Sequence, residues 1–314
     1  MQLRKAERRK LKARIGMSGA SGSGKTYSSL RIAYGFVGDW SKIAIIDTEN
    51  GRGELYVNTN RNNVAIGEYN VLTLDPPFTP RRYIEAIKTC EEGGMEAIII
   101  DSLSHAWAGV GGMLEMKERF SATEKSDFTA WRKITPEHNL LVDALLRTKC
   151  HLIVTLRAKA EYALTERNGK MVPQKVGMAP IFRDGLEYEM VIFMELSQDH
   201  FARASKDNTG IFDQIPFTPT EESGTAIRAW LESGVDAPPP AKEETPAPTQ
   251  ILPPATEKPK DGKANWTTFW PEVKKLSFDK EQVHKLAGTD SIADWTQTQI
   301  DQLLKKLKEQ KGVA

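Results

Sequence analysis

The chain contains one stretch whose residue types and spacing suit the binding of a polyphosphate. Residues 19–26 follow the pattern Gly, four residues, Gly-Lys-Ser/Thr. The glycines let backbone N–H groups surround phosphate oxygens, Lys25 can reach the terminal phosphates, and the Thr26 hydroxyl can bind Mg²⁺. A Gly/Ser-rich run is also typical of a plain loop, but here the lysine and threonine fit as well. We predict that a nucleoside triphosphate binds to Gly19, Ala20, Ser21, Gly22, Ser23, Gly24, Lys25 and Thr26.

Two acidic strand ends supply other groups that phosphate chemistry needs. An apolar run, residues 97–100, ends in Asp101, which is the form of a Mg²⁺-binding element. We therefore predict that Thr26 and Asp101 hold Mg²⁺. A second run ends in Asp47-Thr48-Glu49, and we predict that Glu49 orients the attacking water, with Asp47 as the second candidate. Acids at a strand end also simply cap turns.

These groups meet only if the strands that carry them lie side by side. Apolar runs that predict strands alternate with runs that predict helices through the first 235 residues. The alternation predicts an α/β fold with a mostly parallel central sheet flanked by helices, whose strands point their carboxyl ends at one ligand crevice. The predicted strands are residues 13–18, 42–47, 71–74, 97–101, 150–155, 190–196 and 201–205, the last two antiparallel, and the predicted helices include 27–36 and 80–92.

The predicted strand that ends at Thr155 leads into a polar, basic segment, residues 161–177. Thr155 or Arg157 could sense the terminal phosphate from the strand end. The segment could then hold a DNA backbone through Arg167 and Lys170. Its Asn-Gly pair is equally typical of an ordinary β-hairpin turn, so both interpretations stay open.

Composition narrows the possible partners and compartments. The chain has 43 basic and 42 acidic residues, so its net charge of +1 does not indicate a nucleic-acid partner. Residues 1–14 carry seven Lys/Arg and one Glu, which fits either a phosphate-seeking arm or a solvated terminus. We expect a cytoplasmic protein without a membrane partner, since neither a signal-peptide core nor about 18 consecutive apolar residues occur. Cys90 and Cys150 are predicted core residues.

The composition changes near residue 235 and divides the chain. Residues 236–262 hold eight of the seventeen prolines, which predicts an extended linker. Apolar residues then recur at helical spacing through residues 263–314, which predicts a small all-helical domain. The predicted organisation is therefore an ATPase-like domain at 1–235, a flexible linker and a helical domain of unassigned role.

Several of these motifs together resemble a known family. The phosphate loop, the Asp47-Thr48-Glu49 strand end, residues 98–102 and the strand ending at Thr155 resemble the RecA-like P-loop ATPases. Within that family they resemble the phage-encoded ATP-binding proteins of the Sak-type single-strand annealing group. Residues 175–180 and 182–189, followed by 202–207, are similar to phage-encoded AAA-family ATPases. The resemblance covers about residues 10–232.

The resemblance implies ATP with Mg²⁺ as ligands and Lys25, Glu49 and Asp101 as the catalytic set. It also implies action in the cytoplasm of a bacterial host and assembly as a homo-oligomer. Basic residues of a neighbouring copy would complete each site, and Lys175 and Arg183 are the candidates, although internal ion pairs explain them equally. One departure puts strand exchange in doubt, because a long helical stretch, residues 105–149, stands where recombinases usually have a shorter DNA-binding loop.

Three functions fit the sequence. The first is a DNA-stimulated ATPase that acts on single-stranded DNA in recombination, annealing or replication. The second is a DNA motor or helicase loader on the same core. The third is a non-catalytic nucleotide switch whose helical tail recruits a partner such as a single-strand-binding protein. Aromatic residues that either stack on bases or form core are Trp107, Phe120, Phe128 and Trp131.

Overall fold

Strands and helices alternate through the first part of the chain. The computed structural model describes residues 5–61, 63–123, 127–167, 170–213, 215–235, 266–276, 278–287, 289, 292 and 295–311. Short 3-10 helices occupy Trp40–Lys42 and Arg52–Glu54. The other elements are β1 (Arg14–Gly19), α1 (Lys25–Val37), β2 (Ile43–Asp47), β3 (Thr59–Arg61), β4 (Val64–Ile66), β5 (Asn70–Thr73), α2 (Pro80–Glu92), β6 (Ala97–Asp101), α3 (Ser104–Ala108), α4 (Met113–Thr123), α5 (Asp127–Arg147), β7 (His151–Arg167), β8 (Lys170–Pro180), α6 (Leu186–Glu189), β9 (Ile192–Leu196), β10 (Ala202–Asp207) and α7 (Glu221–Glu232).

One mostly parallel sheet organises these elements. Its strand order is β10-β9-β1-β7-β6-β2-β5, and β8 pairs with β7 outside this row. All pairs from β9 to β5 are parallel, whereas β10 is antiparallel to β9. This arrangement confirms the predicted fold class. The register places Asp47 beside Asp101, so β2 and β6 end level with each other.

The central strands are apolar on both faces because helices cover both faces. Alternate residues of one strand point to opposite sides of the sheet, so Ile98 and Ile100 pack with α2, α3 and α5, while Ile99 packs with α1 and α7. Continuous apolar runs of this kind are expected of parallel strands buried on both faces. Cys90 and Cys150 are buried in the first of these cores, as the sequence predicts.

Helices α1 and α7 approach each other through two glycines. A Cβ atom on Gly35 would lie 2.1 Å from the carbonyl oxygen of Glu221, and one on Gly224 would lie 2.2 Å from that of Ile32. Neither position can therefore carry a side chain without moving a helix. Because α1 begins at the phosphate loop, this crossing fixes the direction in which the loop faces.

The basic arm at the N-terminus packs along the end of α7. Arg8 lies over the ring of Trp230, with its guanidinium carbon 4.2 Å from the ring centroid, and Arg9 forms a backbone bridge with Val235. Arg14 is buried, and its guanidinium donates to the carbonyl oxygens of Ala13 and Cys150 at 2.8 Å. These contacts give much of the arm a structural role.

Strand β7 does not end at Thr155 but continues to Arg167. Its second half pairs with β8 in an antiparallel ladder from Ala158 opposite Pro180 to Arg167 opposite Lys170. The segment therefore contains the predicted hairpin, and DNA binding by Arg167 and Lys170 stays a prediction. The Asn168-Gly169 pair that predicted its turn lies outside the described residues.

The chain divides into two compact units, Met1–Pro238 and Pro239–Ala314. The described part of the second unit contains helices α8 (Trp266–Lys275), α9 (Lys280–Ala287) and α10 (Gln297–Gln310) around an apolar core of its own. The predicted linker at 236–262 lies outside the described residues. Among the helices that the structure describes, none is long and apolar enough to cross a membrane.

Candidate functional site

The phosphate loop lies between β1 and α1 and leaves the first turn of α1 open. Gly22 and Gly24 have φ of 81° and 88°, values that favour glycine over any other residue. Within the described chain no side chain caps the N-terminus of α1, where Gly24 is the N-cap. The backbone N–H groups of this turn are therefore available to an anion, and the helix dipole adds to its attraction.

The side chain of Lys25 folds back onto the phosphate loop and contacts its backbone. Its Nζ atom donates hydrogen bonds to the carbonyl oxygens of Gly19 and Ala20, each at 2.9 Å. Burial lowers the pKa of Lys25, and the charge of Arg157 lowers it further, while Asp101 and Glu49 act in the opposite direction. A phosphate in the loop would offset the cost of burying this ammonium group.

Asp101 receives hydrogen bonds from two hydroxyl groups on other elements. Thr26 Oγ1 donates to Asp101 Oδ2, and Thr155 Oγ1 donates to Asp101 Oδ1, both at 2.5 Å. Burial raises the pKa of Asp101, and the two hydrogen bonds act against that rise. Because β7 lies between β1 and β6, Thr155 comes between the phosphate loop and Asp101.

Glu49 is held by two arginines at the mouth of the site. Arg157 Nε donates to one carboxylate oxygen at 2.8 Å, and Arg52 Nη1 donates to the other at 3.1 Å. Burial acts to raise the pKa of Glu49, but the hydrogen bond and charge of Arg157 and the charge of Arg52 outweigh it, so that the pKa is lowered. The carboxylate is therefore ionised at neutral pH.

Asp47 has a different role from Glu49. Its two carboxylate oxygens accept hydrogen bonds from the backbone N–H groups of Glu49 and Gly51, at 2.7 and 2.6 Å. It is buried, and it fixes the turn that carries Glu49. The turn-capping alternative thus describes Asp47, which leaves Glu49 as the acid of the pair that lines the cleft.

These groups line one open cleft of about 920 Å³. It brings together residues that were predicted from the sequence, namely the phosphate loop with Lys25 and Thr26, and Glu49, Asp101 and Arg157. Thr155 reaches the cleft through its hydrogen bond to Asp101. Further lining residues, whose place in the site was not predicted from the sequence, are Tyr27, Arg31, Arg52, Tyr56, Arg61 and His200.

A comparison with protein families agrees with this geometry. The model of a family described as an AAA domain matches residues 11–215. The chain belongs to this AAA family. The match spans β1 to β10, including the phosphate loop and both acidic strand ends, and supports nucleotide binding by a P-loop ATPase domain. No curated protein matches the chain.

Two aromatic side chains line one end of the cleft in the AAA domain. The rings of Tyr27 and Tyr56 lie 5.6 Å apart, and the guanidinium carbons of Arg31 and Arg61 lie 5.8 and 5.7 Å from the Tyr27 centroid. Tyr27 directly follows the phosphate loop, whereas Tyr56 reaches it from the loop after β2. No spacing in the sequence indicates that pairing, because it depends on how the second loop turns back.

Some predicted residues lie away from the phosphate loop. Arg183 Nη1 donates to Thr135 Oγ1 at 3.3 Å, and its guanidinium carbon is 5.6 Å from the ring centroid of Trp131. Trp131 also stacks on Trp107, at a centroid distance of 5.8 Å, so these aromatics pack against the core. The backbones of Arg167, Lys170 and Lys175 belong to the β7–β8 hairpin, but their side chains lie outside the described residues, as does that of Phe128.

Proposed function

We propose that this AAA domain is a Mg²⁺-dependent ATPase that acts on single-stranded DNA in phage-type recombination, annealing or replication. The observation that carries the proposal is the meeting of Lys25, Glu49 and Asp101 at one cleft, although they come from three different elements. A phosphate loop alone accounts for nucleotide binding, whereas a second, ionised carboxylate at the cleft supplies what hydrolysis requires.

In the proposed reaction, the oxygen of a water molecule bonds to the γ-phosphorus of ATP. The bond between that phosphorus and the β–γ bridging oxygen breaks, and its electron pair stays on ADP. Glu49 accepts the proton that the water loses. Lys25 and the N–H groups of the loop stabilise the negative charge on the phosphate oxygens.

The hydroxyl and carboxylate groups at Thr26 and Asp101 fit Mg²⁺. The Thr26 hydroxyl donates a hydrogen bond to Asp101, so the lone pairs of the hydroxyl oxygen stay available to a cation. Asp101 would face the water shell of the ion, whose charge would offset the burial of that carboxylate. Mg²⁺ held here would supply neutralisation of phosphate charge.

The aromatic end of the cleft suits a nucleotide base. Tyr27 and Tyr56 provide ring faces within the same cleft as the phosphate loop. Aromatic faces stack on bases with a strength that depends little on the base, so this end favours binding without setting the choice of base.

The β7–β8 hairpin supports the DNA part of the proposal. The hairpin continues the strand that carries Thr155 and Arg157. Because Arg157 contacts Glu49 in the cleft, a change at the phosphate can reach the hairpin along this one strand. Arg167 and Lys170 stand opposite each other at its far end, where two cations can contact a phosphate backbone.

The test is a steady-state ATPase assay of the full chain with and without single-stranded DNA, with duplex DNA and RNA as controls. The proposal expects turnover to rise severalfold with single-stranded DNA and to rise less with the other two polymers. Equal turnover in all four conditions contradicts the DNA part and leaves the ATPase part standing.

A second candidate function rests on the second compact unit, whose three described helices have a separate core. In this alternative, ATP binding switches a homo-oligomer that recruits a partner, such as a single-strand-binding protein, through that unit. Lys175 or Arg183 of a neighbouring copy would complete each site in this alternative, and within its own chain Arg183 contacts Thr135 and Trp131. Wild-type binding of ATP without turnover would favour this function.

A further inference from the structure

Both oxygens of Glu49 are already engaged by cations, which is an unusual state for a general base. Arg157 and Arg52 each donate to a different oxygen, and the Glu49 side chain is only 14% exposed. The two arginine side chains are far more accessible, at 45% and 63% exposure. The acid is thus enclosed, while the cations that enclose it reach solvent in the cleft.

We propose that Arg52 and Arg157 form a latch on Glu49 that the terminal phosphate of a nucleoside triphosphate releases. This inference rests on the proposed ATPase function and adds Arg52 as a residue that distinguishes triphosphate from diphosphate. In the latched state Glu49 is bound to the arginines, and in the released state the arginines bind phosphate while Glu49 faces water.

The exchange follows from what guanidinium groups bind. An arginine pairs with phosphate as readily as with carboxylate, and a terminal phosphate carries more charge and more acceptor oxygens than Glu49. Arg52, Arg157, Glu49 and the phosphate loop line the same cleft. A diphosphate lacks the γ-phosphate, so it offers fewer acceptor oxygens to compete with the Glu49 carboxylate for the two arginines.

The surrounding structure lets the side chains move while the backbone stays fixed. The N–H of Arg157 donates to Ser104 Oγ at 2.9 Å, and its carbonyl accepts from Ile181 at 2.7 Å. Arg52 begins a short 3-10 helix after Gly51, which has φ of 82°. Release therefore needs rotation of two exposed side chains and no change in the sheet.

A matched control is available in the same cleft. Arg61 is also an exposed cation that lines the cleft, but it lies over the Tyr27 ring instead of touching Glu49. Removing it should change the binding of tri- and diphosphate by similar factors. Removing a latch arginine should change their ratio.

The experiment measures equilibrium binding of ATPγS and ADP to the full chain, with ATP hydrolysis by the wild type measured in parallel. Arg52→Ala is expected to weaken ATPγS binding about tenfold and ADP binding less than twofold, as the loss of one charge-assisted hydrogen bond implies. Arg61→Ala should leave the ratio of the two affinities within about twofold of wild type.

A double-variant comparison separates a latch from simple contact with phosphate. Glu49→Gln frees the arginines, so it should tighten ATPγS binding about tenfold over wild type. In an Arg52→Ala/Arg157→Ala background the same change should have a much smaller effect. Equal tightening in both backgrounds would overturn the latch, because Glu49 would then act only by repelling phosphate.

The controls also separate this inference from the proposed function. If the wild type binds and hydrolyses ATP but Arg52→Ala keeps the wild-type ratio of affinities, only the latch is wrong. If the wild type binds neither nucleotide, both the latch and the ATPase proposal are overturned.

Discussion

Glu49 and Asp47 are two residues apart and have different environments. Backbone N–H groups hold both oxygens of Asp47, so its substitution would displace the turn. Glu49 is instead held by side chains that can exchange partners. The sequence alone identified both acids as candidates, and only their hydrogen bonds distinguish the structural acid from the proposed catalytic one.

At the residue scale, Glu49→Gln should retain ATP binding and lose turnover by a factor of about 10² to 10⁴, because the proton acceptor is gone while the phosphate loop is intact. The measurement is ATP hydrolysis at saturating ATP, with binding followed separately. Glu54→Gln, an exposed acid in the following 3-10 helix, is the control and should keep wild-type turnover. Equal turnover in Glu49→Gln and wild type would contradict the role of this carboxylate.

The burial of His151 predicts how the free energy of unfolding depends on pH. The His151 side chain is buried, accepts a hydrogen bond from the Ala13 N–H and stacks on Phe36 at 4.9 Å. Burial, with the nearby charges of Lys12 and Arg14, lowers its pKa from 6.5 to about 3. Between these values the unfolded chain binds a proton that the folded chain does not, so stability falls as pH drops below the unfolded pKa.

The expected loss from this group is about 1.4 kcal/mol per pH unit between roughly pH 6 and 4. It appears as a steeper fall of the free energy of urea unfolding in wild type than in His151→Gln. Asn60→Ala, at an exposed position without a titratable group, is the control and should keep the wild-type slope. Parallel slopes for wild type and His151→Gln would show that His151 can be protonated within the fold.

At the scale of elements, β7 joins the sheet, the site and the hairpin in one strand. Its first half pairs with β1 and β6, Thr155 contacts Asp101, and its second half pairs with β8. The sequence predicted the first half, because apolar residues dominate there. The polar second half is compatible with loop or hairpin, and the ladder with β8 that decides between them is formed with residues later in the chain.

The far end of the hairpin should contribute to binding of single-stranded DNA. Changing Arg167 and Lys170 together to alanine is expected to weaken binding and to reduce the slope of log affinity against log salt by roughly 1 to 2, as the loss of two phosphate contacts implies. The measurement is a salt series of binding isotherms. Alanine at Arg147 and Lys149, which precede the opposite end of β7, is the control and should leave the slope unchanged.

The crossing of α1 and α7 should tolerate no side chain. Gly35→Ala is expected to destabilise the fold by about 2 to 4 kcal/mol, since its Cβ would overlap the Glu221 carbonyl oxygen and force the helices apart. The free energy of urea unfolding measures this effect. Lys88→Ala, at an exposed position of α2, is the control, and a similar small change in both variants would contradict the tight crossing.

At the scale of the molecule, local sequence patterns predicted the helices and strands of the sheet, but they did not predict the contacts between distant loops. Helix α2 and strand β6 have the predicted bounds, and the predicted parallel sheet is confirmed because its apolar strands alternate with helices. The positions of Arg52, Tyr56 and His200 were not foreseen. They follow turns whose paths depend on tertiary packing, and nothing in their spacing marks them as cleft residues.

The most direct measurement is hydrolysis of ATP by the full chain with Mg²⁺, compared with Lys25→Ala and with wild type in excess EDTA. We expect turnover in the wild type and a fall of at least about a hundredfold in both other cases, because each removes a cation from the phosphates. Wild-type turnover that persists in Lys25→Ala would contradict this expectation, since the phosphate loop would then not be the catalytic site.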